Sequence, residues 1–380
     1  MKVRALPLRR DTLTSEEIAA RQTCDYGELV ATSAFRDWIS FDCCLIVPGI
    51  DKVFCGLMSI GGDVLWEYDW NADKFQSCGL KGVTDSYDAK LHRSIVWSAA
   101  ESCMYVATAL LHDVDRYRQG RGGAIIRYYP ASRKAELVSV PLPHNYIQMI
   151  ALDETRRLIH GVSFTPERLF SYSLDAGRAV EHGPISSGFQ FTQAQNIVVD
   201  DDGCAWSPWS VTRAWSLDPG DDLYRLCKYD PDEDRVVFYQ TGLPSQRHDG
   251  AFNRVDGFFY FGPGRFYASD VYGSLYRIDP ATGKVAFVCS PMGDRPSRLT
   301  SMALGSEDFA YGVIGREGAC ELLRFNTLTG DAELLGPVAD GDDRCWQVHD
   351  VALHSSTNTL YACENDPPSR SGFLWKIALD

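Results

Sequence analysis

The stretch LYRIDPATGKVAFV, residues 275–288, decides how this chain is read. Alternating apolar residues run into Asp-Pro and Thr-Gly, and a second alternating run follows: a β-hairpin with its turn written into the sequence. The same pattern appears as LWEYDWNADKFQSC from Leu65, IIRYYPASRKAELVSV from Ile125 and LFSYSLDAGRAVEHG from Leu169. It continues as LCKYDPDEDRVVFY from Leu226 and LLRFNTLTGDAELLG from Leu322, and half a copy, LWKIALD, begins at Leu374. The central residues Tyr68, Tyr128, Tyr172, Tyr229, Ile278, Phe325 and Ile377 are 44 to 60 residues apart. A further strand pair precedes each hairpin, as in YIQMIALDETRRLIHGVSF and VHDVALHSSTNTLYACE.

Four strands per unit at a loose period near fifty residues specify propeller blades, and seven units fit. The fold class expected is all-β, a single seven-bladed β-propeller over residues 1–380, with residues 1–25 as an N-terminal extension. The last unit lacks a strand. YGELVATSAF, residues 26–35, reads as the strand that completes the last blade and closes the ring, removing an exposed edge.

Composition narrows the function. The net charge is −14 with 51 acidic against 37 basic residues, which argues against nucleic acid or anionic membranes as partners. No apolar run is long enough to span a bilayer, and the basic N-terminal stretch has no apolar signal-peptide core, so a cytoplasmic location is expected. The twelve cysteines have no CxxC pair or zinc spacing and mostly sit in strand patterns, where they read as reduced, buried thiols. GxSxG, HExxH, Walker and GxGxxG motifs are absent, which leaves serine hydrolysis and nucleotide cofactors unsupported.

In a propeller the first strand of each blade lines the central channel. Aligning the seven inner strands gives an entrance column of Phe41, His92, Tyr146, Gln193, Arg247, Arg298 and Gln347. Two residues deeper stand Cys43, Ser94, Gln148, Gln195, Asp249, Thr300 and His349, and the next positions (Val96, Ile150, Ile197, Met302, Val351) turn apolar. Two polar rings exceed what a structural plug needs and point to a ligand site, against the alternative of a hydrogen-bonded, water-filled channel. His92 and His112 reach one mouth on antiparallel strands and divide base and acid roles, with Tyr146 as a third catalytic candidate. Arg93, Arg247, His248 and Arg298 are the candidates for binding an anionic group, with Gln148, Gln195, His349 and Trp209 completing the substrate contacts. Glu364, Asn365 and Asp366 offer oxygen donors to a calcium ion without EF-hand-like spacing. DPDED and DDDG fall in hairpin turns, where they do turn chemistry.

The strings KLHRS, PLPHNYIQMIALD, VVDDDGCAW, CWQVHD and ENDPPSRSGFLW, spread over most of the chain, resemble the seven-bladed L-rhamnose-α-1,4-D-glucuronate lyases. The resemblance implies two histidines acting on a uronate, carried here by His92 and His112, with a mouth arginine neutralising its carboxylate and a calcium ion near the channel. Otherwise no cofactor is expected. A second comparison is with the cofactor-free hetero-Diels–Alderases of tropolonic sesquiterpenoid pathways, whose first step is also an elimination, a dehydration to a quinone methide. Their cycloaddition needs apolar walls, for which Trp206, Trp209, Trp215, Phe189 and Phe191 are candidates, against inter-blade packing. With no signal peptide expected, a small metabolite is the expected substrate over an exported polysaccharide. A protein-binding propeller and a metal-dependent lactonase stay open as further alternatives.

Overall fold

The repeated hairpin turns on the same local chemistry in six of the seven blades. Within two residues of the fourth strand stands a residue in the left-handed region: Asp73, Arg133, Gly177, Asp234, Gly283 or Gly330, with φ from 46° to 85°. At the head of the turn Asp69, Asp230, Asp279 and Asn326 accept backbone N–H groups two or three residues on. These hydrogen bonds form within the turn itself and stop one strand and start the next.

The structure is a computed structural model describing residues 1–110, 116, 118–164, 166–185, 196–210, 224–242, 255–295, 297–306 and 308–379. Seven four-stranded antiparallel sheets follow one another along the chain, the first six covering 39–77, 95–139, 146–184, 198–242, 255–289 and 302–337. The seventh combines strands of 348–378 with Lys2–Pro7. The residues that set the repeat, from Tyr68 to Ile377, all lie on third strands and all are buried.

The core is divided the same way, with one apolar cluster for each contact between neighbouring blades. The cluster of Ile39, Phe41, Tyr361, Cys363 and Leu374 joins the seventh blade to the first, so the sheets form a closed propeller. All twelve cysteines are free thiols, ten of them buried. Among the described residues no helix is long and apolar enough to cross a membrane.

An N-terminal strand closes the ring, but it is not residues 26–35. Lys2–Pro7 pairs with the third strand of the last blade, in register from Lys2 opposite Ala378 to Pro7 opposite Phe373. Residues 26–35 fall instead in helices α2 (Tyr26–Ala31) and α3 (Ser33–Asp37), preceded by α1 (Ser15–Arg21). The reason is local: Asp25 and Glu28 form a capping box, each side chain bonding the other's backbone N–H, and Thr14 and Glu17 do the same for α1. Between the outer edge of the last blade and the inner strand of the first, the chain must cross one face of the ring. The helices ride on that crossing and pack through Leu29, Phe35 and Trp38 onto Met58.

Removing residues 1–8 exposes the edge of Phe373–Ala378 to solvent and to other chains. The shortened protein is expected to unfold several degrees lower and to self-associate, read by thermal denaturation and size-exclusion chromatography. An unchanged midpoint would mean that the Lys2–Pro7 pairing does not hold the ring shut.

Candidate functional site

The inner strands deliver polar side chains to the channel by breaking their own ladders. Register slips between Phe41 and Cys43, Ile147 and Met149, Val255 and Gly257, and Val348 and Asp350 each bulge one residue out of the strand register: Asp42, Gln148, Asp256 and His349. A bulge of this kind re-aims a side chain without ending the strand. In the other three blades the matching positions lie just ahead of the inner strand, at His92 and Arg93, Asn196, and Thr300. All eight residues are buried.

This ring corrects the aligned columns. Cys43 turns into the core between the first two blades, its thiol toward Leu91 O at 3.4 Å, and Asp42 takes the channel position. Phe41 packs in the core between the last blade and the first. The inner strand of the fifth blade is Val255–Tyr260, and it brings Asp256 to the ring. In the fourth blade Asn196 joins the ring. Tyr146 belongs to an apolar cluster with Tyr26, Leu110 and Phe164, outside the ring of titratable groups. Trp209 donates its indole N–H to Leu226 O and sets its ring against Phe238, and Trp206 stacks on Tyr239. Both are packing residues between blades. His112, Phe189, Phe191, Gln193, Gln195, Trp215, Arg247, His248 and Asp249 lie outside the described residues.

Two histidines form the centre of the site. The His92 and His349 rings lie 4.5 Å apart, nearly perpendicular at 74°. His92 Nδ1 is 2.9 Å from Gln148 O. A carbonyl only accepts, so Nδ1 carries the proton and Nε2 keeps its lone pair. His349 Nδ1 faces Asp42 Oδ1 at 3.3 Å, and the same oxygen takes Lys90 Nζ at 3.4 Å and Asn365 Nδ2 at 3.2 Å. Burial first, and then the Lys90 charge, hold both imidazoles well below the usual histidine pKa, so both are neutral at pH 7. Aligning the inner strands misses both: Asp42 stands one residue off the Phe41 and Cys43 columns, and Lys90 lies two residues ahead of His92, before the columns begin.

Arg93 crosses the channel. Its backbone is left-handed at φ 44°, and its guanidinium donates to Asn196 Oδ1 at 3.0 Å, to Thr300 O at 2.5 Å and, more loosely, to Asp256 O at 3.5 Å. One side chain of the second blade thereby touches the fourth, fifth and sixth. Asp350 of the seventh attracts it electrostatically while accepting from Cys44 N at 3.0 Å, Ser301 Oγ at 2.7 Å and Val351 N at 2.9 Å. Deeper along the inner strands opens a cavity of about 550 Å³, with Arg93 and Asp350 among its walls beside Leu45, Val96, Ile197 and Met302. Arg298 sits in a two-pronged pair with Asp256, at 3.0 and 2.9 Å.

The oxygen donors of residues 364–366 do not fit a calcium site. Glu364 is consumed by Arg370, which grips both its oxygens, and by the N–H groups of Trp346 and Phe373. Asn365 is spent on Gln347, Asp42 and Asp366. Among the described residues no group of three or more His, Cys, Asp or Glu side chains is placed to hold a metal.

No family model and no curated protein matches the chain. Solved structures match in number, 1180 chains, which is what a fold shared by many functions gives. The extracellular domain of a one-component system from B. thetaiotaomicron superposes with a TM-score of 0.58 at 12% identity over 90% of this chain. The chain spans only 38% of that structure's length. The WD40 repeats of RRP9 align over 100% of both chains with a TM-score of 0.57 at 8% identity. An oligogalacturonate lyase in complex with manganese aligns over 91% of this chain and 90% of its own, with a TM-score of 0.57 at 13% identity. These likenesses establish the propeller and nothing finer: one neighbour is a lyase and another a set of WD40 repeats.

Two measurements test the site's energetics. Arg93→Met leaves the ring's carboxylate and carbonyl acceptors buried without their cation, and is expected to cost about 3–5 kcal/mol in denaturant unfolding. The second is pH dependence. His92 and His349 are depressed, and burial lowers His160 and His182 to about 4. The unfolded chain titrates its histidines near ~6.5 and so binds more protons below that pH, and stability falls as pH drops from about 6.5 toward 4. Asp350, raised by burial, works in the opposite sense. The reading is therefore the difference from a His92→Gln/His349→Gln variant, whose unfolding midpoint should decline less over that window.

Proposed function

We propose that the ring at His92 and His349 is the active site of an acid–base elimination enzyme acting on a polar small molecule or oligosaccharide end. The observation that carries this reading is a neutral, buried imidazole with Nδ1 tied to a carbonyl and Nε2 available, beside a second imidazole and an ammonium group. His92 Nε2 takes the proton from a carbon next to a carbonyl or carboxylate. The C–H electrons form the new double bond as the C–O bond to the leaving group breaks. Lys90 supplies the proton that the leaving oxygen needs, and passage of the proton from His92 back to Lys90 restores the site. His349, set against Asp42, orients both. A low histidine pKa suits this work, since the base is unprotonated at neutral pH.

One observation favours a second substrate class. The ring's described cations are already matched: Arg298 by Asp256, Lys90 by Asp42, and Arg93 by carbonyl oxygens and the field of Asp350. A uronate's carboxylate would compete with those partners, whereas an uncharged hydroxylated compound, dehydrated in the same pocket, would not. That is the first step of the quinone-methide chemistry considered above.

The test is ultraviolet absorbance on mixing the protein with a rhamnosyl-glucuronate or galacturonate oligosaccharide, with His92→Ala and Lys90→Met alongside. Uronate elimination predicts a rise from a conjugated unsaturated uronate, reduced at least 100-fold in each variant. No rise with any protein retires the uronate and moves the reading to an uncharged substrate. A rise that both variants retain places the chemistry away from this ring.

A further inference from the structure

The crossing that carries α1–α3 lies over the end of the channel where the polar ring opens, because Trp38 immediately precedes the inner strand that bears Asp42. At the last residue of α1 the Arg21 guanidinium lies 3.6 Å from the centre of the Trp38 ring. Trp38 is itself fixed, 1% exposed, with its indole N–H on Arg370 O at 2.7 Å. The other strong cations of this face have carboxylate partners within 3 Å: Arg298 on Asp256, Arg370 on Glu364 and Arg121 on Asp88. Arg21 differs. Among the described residues its guanidinium makes no hydrogen bond and no ion pair, and it lies over the aromatic face of Trp38. Burial works against its charge, and a cation–π contact offsets only part of that cost.

The acid nearest in effect is Asp366, beyond ion-pair distance from Arg21 but within its field, and within that of Arg298 too. Asp366 is exposed and its backbone is held left-handed at φ 50°, with its N–H on Ser40 Oγ at 3.0 Å. Its carboxylate takes Asn365 Nδ2 at 2.8 Å, and that same amide reaches Asp42 Oδ1, the oxygen facing His349. A line of polar contacts thus runs from the rim beside Arg21 down to the imidazoles. A planar guanidinium backed by an indole, with its N–H groups unspent, is the arrangement that grips a carboxylate in two-pronged fashion.

We infer that Arg21 anchors a carboxylate of the substrate at the channel mouth, with Trp38 as its platform and Asp366 as acceptor for an adjacent hydroxyl. Arg21 is then a positioning residue that selects an acidic sugar or similar hydroxy acid, distinct from the groups that move protons. The inference rests on the reading of the ring as an active site, and it supplies the anion partner that Arg93 and Arg298 do not.

The test uses D-glucuronate as probe and D-glucose as its uncharged control, with tryptophan fluorescence of the full chain as the readout and Trp38→Phe to identify the signal. Wild type should respond saturably to glucuronate and not to glucose. Arg21→Gln should bind at least tenfold more weakly, and Arg21→Lys should fall between. On any oligosaccharide that turns over, Arg21→Gln should raise KM about tenfold with a smaller change in kcat. Equal responses from wild type and Arg21→Gln, an equal response to glucose, or no saturable response in wild type would overturn the assignment. Turnover with unchanged KM in Arg21→Gln removes Arg21 while leaving the elimination reading intact. Arg21-dependent binding without any turnover does the reverse.

Discussion

One guanidinium holds the middle of this molecule. Arg93 leaves the second blade in a backbone conformation that a side-chain-bearing residue adopts only under constraint, and ends among oxygens of three other blades, in the field of an Asp350 on a fourth. The inner strands of a propeller present their free edges to the channel and need something to satisfy them. A planar group with five donors is the side chain best suited to bond several carbonyls at once. The penalty for burying its charge is offset by Asp350 and the carbonyl dipoles, and those acceptors would be costly to leave unmatched. The site above and the cavity below are both defined by where this side chain lies.

Around that centre the polar groups are arranged as matched sets, which makes a buried ring of charges tolerable. Asp42 gathers Lys90, Asn365 and His349, and Asp256 gathers Arg298. Because the charges cancel locally, the imidazoles experience mainly burial and the residual field of Lys90, and both stay neutral. Burial, usually a liability for an ionisable group, here holds the protonation state in which a histidine serves as a base.

The fold was legible because its signal is local and repeated. The residues of the hairpin turns do their work within four residues, so the pattern of residues 275–288 survives in six of the seven blades. The site was only partly legible, because a bulge inserts one residue into the alternation on which inner strands are aligned. His92, Gln148 and His349 all reach the channel, though in one ring rather than two, whereas Cys43 gives way to Asp42. The closing strand failed for a related reason. The β-branched and aromatic residues of 26–35 read as a strand, while the Asp25-x-x-Glu28 capping pair, a helix signal in plain sight, decided the outcome. Lys90 and Arg21 gave no pattern at all, since their importance lies in what they face across the fold.

The pairing of Lys2–Pro7 with Phe373–Ala378 also sets the order in which this protein can be made. Six blades are assembled from contiguous sequence and can form as the chain is synthesised, each docking on its predecessor. The seventh needs residues 2–7 to wait for residues 373–378, and no other strand pairing among the described residues has so large a separation along the chain. Loop-closure entropy for such a contact is met only at the end, and non-local pairing slows folding. Until then the partner of residues 2–7 is missing and an unpaired edge is open to other chains, so the slow, aggregation-exposed phase of folding falls on the closure of the ring.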